Sequence, residues 1–376
     1  MSVTPLMWKA LNRFKSYLSL FWAYPVDWNV TQKKLVITPI SNQLIPWMIA
    51  VFGFLNILNT ASLCLLVAQL FGFAQLSLTV TLGTLGWLLS STFDFLLELL
   101  VCKFAKNGTY AFNCISKMER ELSSHFTQPS PPSPDLKGIA LNKLIDLLIA
   151  QGVLLYICIV LIYRLDPYSQ LEGLLPYPTS LLVKFMLHLF WVTMWIPISQ
   201  VARMSAFIIT STTIAANLAL GCISALEKTA IFGIGYDFVT PAIATCQFVC
   251  LWFSVLFNFA SLKMHQFVAT SVYMYTPLVA GTVLVGMKLI LPLCTDIYEN
   301  TKQVHATWRK AMVGVRNDLK YLRKKLRSIQ IIAVYGGINS YNLYKCKRST
   351  KSAYFSAVIS YTMTATLSID TKSLKF

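Results

Sequence analysis

The sequence predicts an all-α membrane protein with seven transmembrane helices, a cytoplasmic N-terminus, an extracellular C-terminus and a cytoplasmic helical extension before the last span. Hydrophobic residues make up 56% of the 376 residues and charged residues only 12%, whereas soluble domains carry about 25% charged residues. The apolar residues gather in seven long runs, and lysine and arginine gather in alternate loops between them. These observations exclude a soluble globular domain and a soluble enzyme.

Each apolar run is predicted to be helical, because about 20 apolar residues are needed to cross the bilayer core and only closed backbone hydrogen bonding is tolerated there. The spans are predicted at residues 45–70, 75–101, 139–163, 182–209, 238–262, 268–293 and 353–369. Pro197 favours a kink in the fourth span, which could continue as a helix toward Leu220. The stretch 8–22 lacks the features of a cleavable signal peptide and is predicted to be a short interfacial helix.

The distribution of basic residues sets the orientation, because cytoplasmic loops carry an excess of lysine and arginine. Segments 1–44, 102–138, 210–237 and 294–352 hold 24 of these residues, and the alternate segments hold 4. The net charge of +17 is therefore interpreted as membrane topology and not as a nucleic-acid-binding face. Four regions follow: a cytoplasmic segment at 1–44, six helices at 45–293, a cytoplasmic helical segment at 294–352, and the last helix with a short outer tail at 353–376.

Catalytic and metal-binding motifs are not found. The nine cysteines suggest no disulfide framework, and the four histidines form no paired metal motif. Neither a phosphate-binding loop nor a nucleophile elbow is present. We therefore expect no enzyme activity, no cofactor and no metal site.

The segment 294–352 contains a heptad-like apolar pattern on a basic helix. Leu319, Leu322 and Leu326 belong to a series whose members are alternately three and four residues apart. Such a helix could lie on the anionic inner leaflet or could join subunits in a cytoplasmic bundle. Gly336 and Gly337 then predict a hinge or turn before the last span.

Hydroxyl side chains recur every four residues in the last span, at Ser356, Ser360, Thr364 and Ser368. They share one slowly drifting helix face. Such a stripe could line a water-filled pore, or its small side chains could simply allow close helix packing. Because no ring of acidic residues accompanies it, strong ion selectivity is not expected.

Charged side chains inside the spans form a second candidate cluster. Asp94 and Glu98 lie one turn apart in the second span, Lys143 lies in the third and Arg203 in the fourth. Lys143 could pair with either carboxylate, and Arg203 could join them. Intramembrane charges often mark function, although a structural ion pair at the headgroup boundary explains them equally well.

Aromatic residues gather in the outer halves of several spans. The candidates for a ligand pocket are Trp87, Tyr156, His188, Trp191, Tyr273 and Tyr275. An apolar aromatic cavity with a few hydroxyls suits a small organic ligand. The alternative is the aromatic belt that many membrane proteins have at the outer interface.

The C-terminal motifs resemble those of the arthropod gustatory and odorant receptor superfamily, and most closely the gustatory-receptor-like proteins of non-insect hexapods. They are YENT at 298–301, WR at 308–309, LRKKLRS at 322–328, STKSAYF at 349–355 and SY at 360–361. Leu367 and Ser368 stand where that family has Gln-Phe. An inside N-terminus and the absence of the Asp-Arg-Tyr and Asn-Pro-x-x-Tyr signatures oppose a G-protein-coupled receptor.

The resemblance implies a ligand-gated, non-selective cation channel in the plasma membrane that forms a homo- or hetero-tetramer. It implies that the last helix lines the pore, that cytoplasmic helices hold the subunits together, and that a small organic tastant or odorant binds within the helix bundle at 45–293. The hydroxyl stripe would then face permeant cations. The alternatives are a seven-helix metabotropic receptor and a membrane transporter.

Overall fold

The computed structural model describes residues 3–18, 21–39, 41–125, 135–175, 181–226, 239–264, 270–311, 324, 331, 333–338 and 341–368. Within these ranges the helices are α1 (Pro5–Leu18), α2 (Ile45–Met48), α3 (Asn56–Leu70), α4 (Leu78–His125), α5 (Leu136–Leu154), α6 (Pro167–Leu174), α7 (Leu181–Val192), α8 (Trp195–Leu226), α9 (Val239–Lys263), α10 (Thr270–Ala311) and α11 (Arg348–Ser368). A π-helix at Ile49–Leu55 joins α2 to α3, and another at Leu155–Ile162 extends α5. The predicted fold class of a helical membrane protein is confirmed.

All seven predicted spans fall on helices. Five helical segments are long and apolar enough to cross a membrane within the described ranges: Asn42–Leu70, Thr79–Glu121, Leu181–Ile223, Cys246–Lys263 and Tyr273–Lys310. The predicted third and seventh spans, on α5 and α11, are helices outside this set. The chain is a multi-pass membrane protein, and the count of seven and the orientation of its ends remain predictions.

Two helices are much longer than a membrane span. At about 1.5 Å per residue, α4 with 48 residues and α10 with 42 residues are roughly 72 and 63 Å long. The segment 102–138, predicted as a loop, is therefore helical as far as His125. The start of the predicted segment 294–352 is likewise a continuation of α10 as far as Ala311.

The fourth span consists of two helices. α7 ends at Val192, and α8 begins at Trp195 and continues to Leu226. Pro197 lies in the first turn of α8, where its missing N–H leaves no helical hydrogen bond unmade. The predicted interruption at this proline and the predicted continuation past Leu220 are both observed.

The N-terminal segment packs into the bundle through α1 and a hairpin that the sequence analysis did not predict. α1 packs against α5 and α8 and buries Leu11 and Phe14 completely. The hairpin pairs β1 (Val26–Asn29) with β2 (Lys34–Ile37) in antiparallel fashion. Its turn is stabilised by the Asn29 side chain, which accepts a hydrogen bond from the backbone N–H of Gln32 at 3.0 Å.

A second unpredicted hairpin precedes α11. It pairs β3 (Tyr335–Ile338) with β4 (Tyr341–Lys345) and packs against α9. Gly336, predicted to mark a hinge, lies in β3 with the Tyr344 ring directly over it. A Cβ at Gly336 would overlap that ring, so glycine is required here by close packing.

Candidate functional site

A cavity within the described bundle has a volume of about 300 Å³ and is called the larger cavity below. Residues of α3, α4, α5, α8, α9 and α10 line it, and nearly all of its wall is apolar. Representative wall residues are Leu58, Leu82, Ile198, Phe253, Phe257 and Val283. Three of the predicted ligand-binding residues, Trp87, Tyr273 and Tyr275, also line it.

Most polar groups around the larger cavity are already hydrogen bonded within the protein. Trp87 donates its indole N–H to the carbonyl of Leu165 at 3.2 Å, and the Tyr273 hydroxyl donates to the carbonyl of Ser261 at 3.0 Å. Among the described residues, the Tyr275 hydroxyl has no hydrogen-bond partner. Tyr275 is therefore the side chain best placed to bond a polar atom of a ligand.

Gln151 is a polar wall residue that the sequence analysis missed. Its side chain donates to the carbonyl of Leu278 at 3.2 Å and to the Thr282 hydroxyl, and so connects α5 to α10 across the cavity wall. A carboxamide inside an otherwise apolar span is a signal that could have identified it, because a buried amide needs partners.

The other three predicted ligand-binding residues, Tyr156, His188 and Trp191, do not line the larger cavity. Tyr156 donates its hydroxyl to the carbonyl of Val192 at 3.2 Å, and Trp191 donates to the carbonyl of Val160 at 3.3 Å. The His188 ring lies 5.1 Å from the Trp191 ring. Tyr156 and Trp191 join α7 to the π-helix after α5, because their polar atoms bond main-chain carbonyls across that contact.

Three of the four predicted intramembrane charges come together. Asp94 and Arg203 are each only 1% exposed, and Glu98 is fully buried. Arg203 donates to the Gln200 side chain, which in turn donates to Glu98. The guanidinium also lies over the ring of Tyr24, 4.7 Å from its centroid. A connected network therefore satisfies Glu98 and holds the guanidinium in place.

Lys143 is not a member of this cluster, which corrects the predicted pairing. Its side chain is exposed on α5, whereas both carboxylates are buried. The neighbouring Asp146 forms an ion pair with Arg13 of α1 at 2.9 Å. Lys143 is exposed because α1 packs on the buried face of α5 and leaves Lys143 on the opposite side.

The hydroxyl stripe is exposed along its whole length. Ser356, Ser360, Thr364 and Ser368 all face away from the bundle. The opposite face of α11 buries Tyr354, Val358 and Thr362 against α9 and α10. A single chain therefore leaves this polar face without a protein partner in the described ranges. The predicted assembly residues Leu319, Leu322 and Leu326 lie outside those ranges.

The wall between the larger cavity and α11 is one side chain thick. Met287 of α10 lines the cavity and packs against Tyr354 and Val358 of α11. Cys250 and Val283 also line the cavity and pack against the same cluster. A molecule in the cavity would therefore contact side chains that directly support the hydroxyl-bearing helix.

Comparison with known proteins gives matches only at the level of structure. No protein-family model and no curated protein matches the sequence. The insect olfactory receptor OR5 from Machilis hrabei is similar over 95% of this chain and 97% of that chain, with a TM-score of 0.53 and 8% sequence identity. The structure of that receptor in complex with eugenol is similar over 96% of this chain and 98% of that chain, with a TM-score of 0.44 and 10% identity.

At 8% identity, similarity to OR5 concerns the fold and does not transfer a ligand or an activity. The observed fold agrees with the family resemblance of the C-terminal sequence motifs. Both the structural match and the motifs include the last helix. The chain therefore has the fold of the insect olfactory receptor OR5.

Proposed function

We propose that this protein is a chemosensory receptor of the plasma membrane: a ligand-gated, non-selective cation channel opened by a small organic tastant or odorant. One observation carries the proposal. Cys250, Val283 and Met287 line the larger cavity and pack against the cluster that contains Tyr354 and Val358, on the buried face of the helix whose other face carries the hydroxyl stripe. The fold shared with the olfactory receptor OR5 supports a role as a receptor.

The chemistry of the larger cavity defines the ligand class. A volume of about 300 Å³ is at the small end of the range for ligand pockets. The residues that line it carry no charge, so a charged ligand would lose its hydration without gaining a partner. The ligand is a neutral, largely apolar molecule with a polar atom that bonds Tyr275.

The chemistry of α11 defines the conducted species. Four hydroxyls along one face give water and ions polar partners, and the helix Arg348–Ser368 contains no aspartate or glutamate. Hydroxyls without carboxylates discriminate weakly among cations. We propose that four chains, identical or mixed, bring these faces together around a pore, with Leu319, Leu322 and Leu326 in the assembly contacts.

Cysteine accessibility in expressing cells tests this pore. Ser360→Cys places a thiol on the hydroxyl stripe, and Ile359→Cys places one about 100° around the same helix, at a position that is also exposed. During stimulation with a panel of one-ring phenols and ketones, a charged methanethiosulfonate reagent should reduce the current of Ser360→Cys and spare Ile359→Cys and the wild type. Equal insensitivity of all three proteins would remove α11 from the pore.

A further inference from the structure

A second, smaller cavity adjoins the larger one and has a volume of about 120 Å³. The β1–β2 hairpin, α4, α8, α9, α10 and the residue before β3 enclose it. None of the described residues that line it is charged. Its apolar wall includes Val26, Leu35, Phe112, Ile115, Phe207 and Ile297.

One polar side chain in this wall has an unused hydrogen-bond donor. Gln247 is only 7% exposed, and its side-chain oxygen accepts a hydrogen bond from the Tyr344 hydroxyl. Its Nε2 is buried and finds no hydrogen-bond acceptor in the part of the chain that the structure describes. The Cys346 sulfur lies within hydrogen-bonding reach of the Gln247 side chain, but a thiol sulfur is a weak acceptor and leaves most of the bonding capacity of Nε2 unused. An unmade bond at a buried amide is costly, so an acceptor supplied from the cavity would be favoured.

We propose that the smaller cavity is a second ligand site, which binds a neutral one-ring organic molecule whose single hydrogen-bond acceptor bonds Gln247 Nε2. The size supports this class, since an apolar cavity of about 150 Å³ accepts benzene. The apolar walls select the ring, and the amide nitrogen selects a ketone, ester or ether over a hydrocarbon of the same shape.

The position of the site couples it to the last helix. Tyr344, which bonds Gln247, lies in β4, and α11 begins at Arg348 only a few residues later. On the other side, Val334 lines the cavity and accepts a hydrogen bond from the backbone N–H of Cys346 at 2.9 Å. A ligand here would therefore contact Val334 directly and would affect Tyr344 through Gln247, at the two ends of the hairpin that leads into α11. Modulation of channel opening from this site rests on the proposed function, whereas binding does not.

The two cavities also share part of their walls. Ile208, Cys246, Met287 and Ile290 line both of them. Because a side chain displaced by one ligand changes the space left for the other, occupancy of the two sites should be coupled. The coupling free energy between two binding sites is reciprocal, so each ligand should change the affinity of the other by the same factor.

Thermal unfolding of the purified full-length protein in lipid nanodiscs tests the site without recording currents. The probes are cyclohexanone and methylenecyclohexane, which replaces the carbonyl oxygen with CH₂. A ligand that binds only the folded state raises Tm by an amount that grows with its concentration relative to Kd, so at equal concentration cyclohexanone should raise Tm more than the hydrocarbon does. With the larger cavity filled by Gly86→Leu, adding Gln247→Leu should abolish this difference, and adding Ala111→Leu, which fills the smaller cavity, should abolish both shifts.

Gly86→Leu is the matched control, because Gly86 lines only the larger cavity and a side chain there meets open space. Because cyclohexanone can also enter the larger cavity, Gly86→Leu should remove only that contribution and leave a preference for the ketone that comes from the smaller cavity. The proposal is overturned if wild-type Tm responds to neither probe, if Gly86→Leu alone removes the shifts, or if adding Gln247→Leu to Gly86→Leu keeps the preference for the ketone. Should Gln247→Leu fail to fold, Gln247→Met keeps the side-chain length and provides the same test.

Discussion

The Tyr24 hydroxyl donates a hydrogen bond to Glu98 Oε2 at 3.1 Å, which joins the segment before β1 to the middle of α4. The same tyrosine ring lies against the Arg203 guanidinium. The N-terminal segment is thereby fixed to the buried charge cluster of the bundle. This cluster contains two carboxylates and one guanidinium, and the two carboxylates are held differently.

Arg203→Met should be strongly destabilising, because it leaves Asp94 and Glu98 as two buried carboxylates without a cation. Removing one member of a buried charge pair costs about 3–5 kcal/mol. Asp94→Asn should cause no such loss, because both Asp94 carboxylate oxygens are buried without a hydrogen-bond partner among the described residues. Thermal unfolding of the purified variants measures the contrast. Equal Tm values for the two variants would contradict this description of the cluster.

Tyr275→Phe should weaken activation by ligands that carry a hydrogen-bond acceptor or donor. One neutral hydrogen bond contributes about 0.5–1.5 kcal/mol, which corresponds to an increase in EC50 of about 2- to 10-fold. Tyr273→Phe is the matched control, because the Tyr273 hydroxyl already donates to Ser261. Dose–response curves for both variants decide the matter, and a larger shift for Tyr273→Phe would exclude Tyr275 as the ligand's polar partner.

Gly86→Leu should occlude the larger cavity, since a side chain at Gly86 projects into open space along its wall. Loss of ligand contacts worth about 1.4 kcal/mol raises EC50 tenfold, and we expect at least about that increase. Gly173→Leu on α6 also projects into open space but does not line the cavity. Currents should survive in this control. Unchanged sensitivity in Gly86→Leu would show that the ligand binds elsewhere.

Asp166→Ala should destabilise α6 locally. The Asp166 carboxylate caps this helix by accepting hydrogen bonds from the backbone N–H groups of Tyr168 at 3.0 Å and Ser169 at 2.9 Å. Loss of an N-cap costs about 0.5–2 kcal/mol, and asparagine is an equivalent cap. Hydrogen exchange over Pro167–Leu174 should therefore accelerate in Asp166→Ala and remain slow in Asp166→Asn. Equal exchange in both would mean that the cap does not stabilise the helix.

Epitope tags at the two ends test the predicted orientation. Antibody added to intact cells should reach a tag after residue 376 and should reach an N-terminal tag only after permeabilisation, because the basic residues favour a cytoplasmic N-terminus. Access to the N-terminal tag alone would contradict the orientation and favour the metabotropic alternative.

Apolar runs and basic loops were enough to predict the positions of the helices, because membrane burial leaves a long and unmistakable sequence pattern. The exposed face of α11 followed from the spacing of Ser356, Ser360 and Thr364. The rotation of α5 could not be predicted, since it depends on α1 packing against it, and this places Lys143 outside the charge cluster. Tyr24 and Tyr344 were missed for a related reason: they reach the bundle from short hairpin segments whose tertiary position has no local sequence signal.

The most direct test of the central claim is recording from purified protein reconstituted into planar bilayers, without any other protein. The account predicts unitary currents that appear on addition of a neutral one-ring phenol or ketone, that are carried by Na⁺ and K⁺ with little discrimination, and that are lost in Gly86→Leu. Saturable ligand binding to the folded, reconstituted protein without any unitary current would contradict the claim that this chain is itself the channel.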